Sequence, residues 1–214
     1  MLAAAVAALT IVQAATPVAP ARTPVLDNAT VTVTRLRFAP GTGESVHTHA
    51  FPLLIVQLTP GVVDLTVDDM RARGPRETGV VTLVPANVPH AAVNAGSTSF
   101  DLIAVAVKPA RPPAPAAPPT DAPPGITRTT LLDNADVRVV RVQFEPGGRE
   151  PVHTHPNDLL TVQLSGGQLE ILNGGERTRG LRDPGSVQFL QRNVEHSYGS
   201  VDTHSFEVLS ISVK

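Results

Sequence analysis

Six of the chain's seven histidines fall into two matching sets, His47, His49, His90 and His153, His155, His196. Within each set two histidines flank a single threonine, and alternate residues of a β-strand project from one face, so both rings can address one point. The third histidine follows 41 residues later, in the first set just past a turn containing Pro85 and Pro89. A pair from one strand and one ring from a distant strand is how an antiparallel barrel would gather three imidazoles round a divalent metal ion. His204 has Thr98 at the matching position and reads as a surface residue.

Three neutral imidazoles would leave the full 2+ charge on such an ion. Its open positions would then favour a small anionic molecule, such as a carboxylate, an enolate or a chelating diketone. Nitrogen ligands with open positions suit Fe, Mn, Ni, Cu or Zn, and spacing does not choose among them. No side chain declares itself as a general base or substrate clamp, so catalytic residues stay unassigned. The chain has no cysteine, which excludes disulfides, thiolate ligands and a cysteine nucleophile. Aromatic residues make up 3% and the formal charge is −2, so neither a base-stacking surface nor a basic footprint for nucleic acid is present.

The two histidine sets belong to a repeat that organises the whole chain. At an offset of 106, 35 of the 86 positions from Thr23 to Lys108 are identical without a gap. Leu26-Asp27-Asn28-Ala29 returns as Leu132-Asp133-Asn134-Ala135, and Val46-His47-Thr48-His49 as Val152-His153-Thr154-His155. Within a copy, β-branched residues alternate with polar ones (Val31, Val33; Val137, Val139), and turn dipeptides such as Pro40-Gly41 and Pro146-Gly147 recur. Short strands with regular turns and no convincing helix predict an antiparallel sandwich or barrel in each copy. The division expected is 1–22 signal peptide and tail, 23–108 first domain, 109–128 Pro-rich linker, and 129–214 second domain. The apolar run Leu2 to Val12 is too short to span a bilayer, and with the small residues after it reads as a secretory signal. A periplasmic or secreted protein is therefore expected, with no membrane span in the mature chain. Homo-oligomerisation is left open.

These residues resemble the cupin superfamily. Its first motif, Gly, five residues, His-x-His, a Glu and a closing Gly, is matched by Gly41, His47, His49 and Gly61, and again by Gly147, His153, His155 and Gly167. Its second motif is matched by Gly79, Pro85, His90 and Asn94, with Asn87 where Gly is usual; copy two keeps Gly185 and His196 but has Gln191, Asn193 and Ser200. The resemblance implies an all-β chain of two tandem cupin (double-stranded β-helix, or jelly-roll) barrels, a bicupin. It also implies one metal per barrel. Cupin dioxygenases with a three-histidine iron, acting on thiols, β-diketones or gentisate, have this ligand set. A metal-dependent dioxygenase or other oxidoreductase is one expectation, and a non-catalytic binding module the other.

The motif glutamate is missing. Its slot holds Leu54 and Leu160, expected to point inward where the ligand would be, and Asp158 shares the strand phase of Leu160. By the same alternation Gln57 and Gln163 are expected to face outward. Glu44 and Glu150 are read as partners of a ligand or as salt bridges, Arg35 and Arg141 as pocket residues or ion pairs. Arg71, Arg73 and Arg76, with Arg177, Arg179 and Arg182, are read as a solvated hairpin.

Overall fold

The computed structural model describes residues 16–108 and 123–214. The apolar N-terminal run and most of the Pro-rich segment lie outside the described residues. Every regular element described is a strand. The first half forms β1 (Ala21–Asp27), β2 (Val31–Phe38), β3 (Gly43–His47), β4 (Leu53–Gln57), β5 (Gly61–Val67), β6 (Met70–Arg76), β7 (Val81–Val84), β8 (His90–Asn94) and β9 (Phe100–Val107). The second half forms β10 (Ile126–Asp133), β11 (Val137–Phe144), β12 (Asp158–Gln163), β13 (Gly167–Asn173), β14 (Glu176–Arg182), β15 (Val187–Leu190), β16 (His196–Ser200) and β17 (Phe206–Val213).

Each half is a two-sheet jelly roll. In the first, a five-stranded sheet β1-β2-β9-β4-β7 faces a four-stranded sheet β3-β8-β5-β6. The second repeats this with β10-β11-β17-β12-β15 facing β14-β13-β16. Where copy one has β3, copy two keeps only two isolated bridges, Arg149 to Gly199 and His153 to His196. The core of the first barrel gathers Phe38, Leu53, Val63, Val84, Phe100 and Leu102, with Phe38 and Phe100 stacked 5.0 Å apart. Phe144 and Phe206 repeat that stack at 5.2 Å. Gly61 and Gly167 make room for it, since a Cβ at either position would overlap the ring of Phe100 or Phe206.

The five-stranded sheets of the two barrels pack against each other. Val31, Val33, Leu54, Val56, Ile103 and Val105 from one meet Val137, Val139, Leu160, Val162, Leu209 and Ile211 from the other in a single cluster, each wholly buried. This corrects the inward orientation expected of Leu54 and Leu160. Leu53 and Leu159 point into the barrels, and Leu54 and Leu160 point away from the histidines into the junction. The inward phase also carries Gln57 and Gln163, which are buried rather than outward-facing, their amides donating to Thr59 O and Ser165 O at 2.8 Å.

The junction has approximate twofold symmetry that follows the repeat. Gly79 approaches Arg141 and Leu164 so closely that a Cβ would collide with the guanidinium, and Gly185 approaches Leu58 and Arg35 in the same way. Both glycines have positive φ, +80° and +83°, a backbone conformation that other residues adopt only with strain. Asp158 departs from the symmetry. It accepts a hydrogen bond from Thr30 Oγ1 across the junction at 2.7 Å and another from the Arg192 backbone N–H, and it joins neither histidine cluster.

Candidate metal centres

The sheet register brings each histidine trio together. His47 ends β3 and pairs directly with His90 at the start of β8. His49 lies just beyond, where the chain bends toward β4, and its carbonyl accepts from the Asn87 N–H at 2.8 Å. Asn87 takes the left-handed conformation, φ +60°, at the position where the cupin motif usually has glycine. Asparagine tolerates that conformation better than other side chains, and Asn193 repeats it at the same angle. The turn therefore presents His90 and His196 without a glycine.

In each barrel the three rings could hold one ion: one nitrogen from each lies within 4.8 Å of the others, for His47, His49, His90 and for His153, His155, His196. His47 Nε2 and His49 Nε2 are 3.1 Å apart, as are His153 Nε2 and His155 Nε2. Two nitrogens at that spacing can both reach one ion at about 2.0–2.2 Å. Ring orientation is set from behind. His47 and His90 place Nδ1 at 2.8 and 2.9 Å from the carbonyls of Ser45 and Val88, and His153 and His196 do the same with Pro151 and Val194. An Nδ1–H donated to a carbonyl leaves a lone pair on Nε2, the tautomer a metal requires. His90 Nε2 and His196 Nε2 are buried with no hydrogen-bond partner. A buried unpaired nitrogen is costly, and in both barrels a cation held by the trio would supply the missing partner.

Burial favours the neutral form of His49, His155 and His196. Burial, reinforced by the neighbouring histidines, holds His49 below its ordinary pKa and pushes His155 down to about 4. Burial also lowers His196, against an opposing hydrogen bond to Val194. Glu44 and Glu150 approach the trios as ion pairs, with Arg22 and, at 2.6 Å, with Arg128. The edge strands β1 and β10 deliver those arginines, a contact that motif spacing alone does not show.

The other residues singled out in the sequence have structural places. Arg35 pairs with Asp101 at 2.7 Å. Arg71 pairs with Asp64, and Arg177 with Glu170, on the exposed hairpins β5–β6 and β13–β14. Asn94 is a buried turn staple, donating to Phe38 O and Thr98 O while accepting from the Gly96 N–H. His204 is exposed beside Asp202. No described helix is long and apolar enough to cross a membrane.

No protein-family model matches the chain. Among curated proteins it is 31% identical over 83 residues to the beta-alanine degradation protein BauB of Pseudomonas aeruginosa, a match covering 39% of this chain and 87% of that one. Among solved structures it is similar to a cupin 2 conserved barrel domain protein from Leptotrichia buccalis, with TM-score 0.64, 16% identity, and coverage of 94% of this chain and 92% of that one. It is likewise similar to salicylate 1,2-dioxygenase from Pseudaminobacter salicylatoxidans, with TM-score 0.73, 12% identity, and coverage of 91% and 76%; another structure of that dioxygenase is an adduct with gentisate. A single-substitution variant of oxalate decarboxylase from Bacillus subtilis matches with TM-score 0.69, 12% identity, and coverage of 92% and 74%.

Proposed function

The chain belongs to the cupin family, and on that premise we propose that it is an exported bicupin holding one divalent transition-metal ion in each barrel and acting on a small anionic molecule. His47, His49 and His90 would hold the first ion, and His153, His155 and His196 the second. The observation that carries this reading is the pair of buried, partnerless nitrogens, His90 Nε2 and His196 Nε2, each facing two further imidazoles in its own barrel.

A bound Fe, Mn, Ni, Cu or Zn ion would supply Lewis acidity and, for a redox-active metal, oxygen chemistry. The chain's own part is to orient two of the three donors in each trio through Nδ1–carbonyl bonds and to add no carboxylate to the three. A donor set without charge leaves the ion's attraction for an anion undiminished. The dioxygenase neighbour, with its gentisate adduct, and the decarboxylase neighbour favour an oxidoreductase or related enzyme on a small carboxylate. A binding module is the second reading, favoured by the apolar interior of the first barrel (Leu53, Ile55, Leu65, Ala92).

Metal analysis of protein isolated from its native compartment should give about two ions per chain, and oxygen uptake with salicylate, gentisate and oxalate then separates the two readings. Metal-free protein that binds no divalent ion on titration would overturn both. Export is tested by fractionating cells and sequencing the N-terminus of the mature chain.

A further inference from the structure

The two barrels share their histidines but not their interiors. In the first, Ile55 on β4 stands between Thr82 on β7 and Ala104 on β9, in one cross-strand row. The 106-residue repeat places Thr161 on β12 between Gln188 on β15 and Ser210 on β17 in the matching row of the second. Opposite, Ala92 on β8 becomes Tyr198 on β16, two residues after His196 and so on the same face of the strand. A row whose one polar side chain is Thr82, facing a methyl group, has become a row of three polar side chains facing a phenol. Valine and alanine at 80 and 106 likewise become Ser186 and Ser212.

These groups meet inside the second barrel. Tyr198 is buried, its ring 6.1 Å from that of His196, and its hydroxyl donates to Gln188 Oε1 at 3.3 Å, with Thr161 beside it in the same cavity wall. Tyr198, Gln188 and Thr161 line a cavity with about 20 Å³ open to the centre of a water molecule, beside the histidine trio rather than walled by it; Gln163, Arg182, Ser186 and four apolar side chains complete its wall. That is room for about one water. The 3.3 Å bond to Gln188 is long for a hydroxyl donor, so the phenol keeps capacity for a better partner.

Resting on the metal reading above, we propose that the barrels have divided the work: the second barrel selects the ligand, and Tyr198, Gln188 and Thr161 recognise a hydroxyl or carbonyl group on a small carboxylate. The first barrel, with Ala92 and Thr82 at the matching positions, has no counterpart of the phenol or of the Gln188 amide. Tyr198 acts as a specificity residue, adjoining the histidine trio without belonging to it.

Cobalt(II) titration of the full chain, read by visible absorption, tests this with lactate as a hydroxylated probe and acetate as its control. Two variants isolate the centres: His47→Ala/His49→Ala leaves the second site, and His153→Ala/His155→Ala leaves the first. Lactate should bind the second cobalt site at least about tenfold tighter than the first, a factor of the size one or two hydrogen bonds provide, while acetate shows no such preference. Tyr198→Phe should weaken lactate about tenfold at the second site, with cobalt and acetate affinities unchanged. Thr161→Val, similar in volume, should lower lactate affinity in the same direction and guards against a folding defect in the first variant. Equal lactate affinity at the two sites, or no response to either substitution, overturns the proposal and leaves the metal reading standing. Failure of both sites to take up cobalt overturns the two together.

Discussion

At the level of single residues, burial lowers the pKa of His49, His155 and His196 and leaves His90 Nε2 and His196 Nε2 without partners. A histidine whose folded pKa lies below its unfolded value of about 6.5 takes up fewer protons folded than unfolded as pH falls. Its stabilising contribution is therefore complete above pH 6.5 and is lost progressively toward the folded value, about 4 for His155. The metal-free protein should lose thermal stability between pH 6.5 and 4, and His155→Gln should flatten that slope by one residue's share. Melting curves across this range decide the matter, and parallel slopes for the two proteins would show that His155 is not held neutral. A divalent ion should raise the melting temperature more at pH 7.5 than at pH 5, because it binds the folded state alone and competes with protons for the trio. The histidine positions themselves were legible in the sequence, because a repeated His-x-His with a third histidine at constant distance has few structural explanations. Tyr198 was not legible as a site residue, since a lone tyrosine acquires meaning only when the register places it opposite Gln188 and Thr161.

At the level of the strand, period-two reading worked where one face of a sheet meets solvent and failed where both are covered. The strand β4 reads Leu53-Leu54-Ile55-Val56, apolar at four successive positions, so alternation carries no information about which face is which. The motif spacing put Leu54 in a ligand slot, whereas packing against the second barrel puts it in the junction with no measurable exposure. Gln57 was misassigned for the same reason: a polar side chain in such a strand suggests an outer face, yet its amide is satisfied by the Thr59 carbonyl inside the barrel. Leu54→Glu should thus bring no gain in metal affinity. It would place a carboxylate among Val31, Val105 and the second barrel's valines, costing several kcal/mol even if the group protonates. Leu54→Ala should cost about 2–5 kcal/mol, the usual range for a buried leucine. Denaturant unfolding with metal titration on both variants checks this, and tighter metal binding by Leu54→Glu would return the residue to the centre.

For the whole molecule, the two barrels of the repeat are joined through a buried cluster of their own. The cluster between the barrels contains sixteen residues, none more than 4% exposed, against eight and ten in the buried cores of the individual barrels. Full burial of one Val, Leu or Ile side chain stabilises by about 1.5–3 kcal/mol, so a half standing alone would expose a sheet face whose burial is a large part of its stability. Barrels this small are near the lower limit for an independent core. The full chain should accordingly unfold in a single transition, its calorimetric and van't Hoff enthalpies agreeing. A sharper test uses Ile211→Asp, which buries an unpaired carboxylate on the second barrel's side of the junction. If the junction couples the halves, native-state hydrogen exchange should show reduced protection not only in β16 and β17 but also in β8 and β9, which belong wholly to the first barrel. Independent barrels would leave protection in β8 and β9 at the wild-type level. Coupling also bears on function: an ion bound by His47, His49 and His90 would then stabilise the sheet β2-β9-β4 on which the second barrel rests, so loading the first centre should raise the unfolding temperature of both halves together.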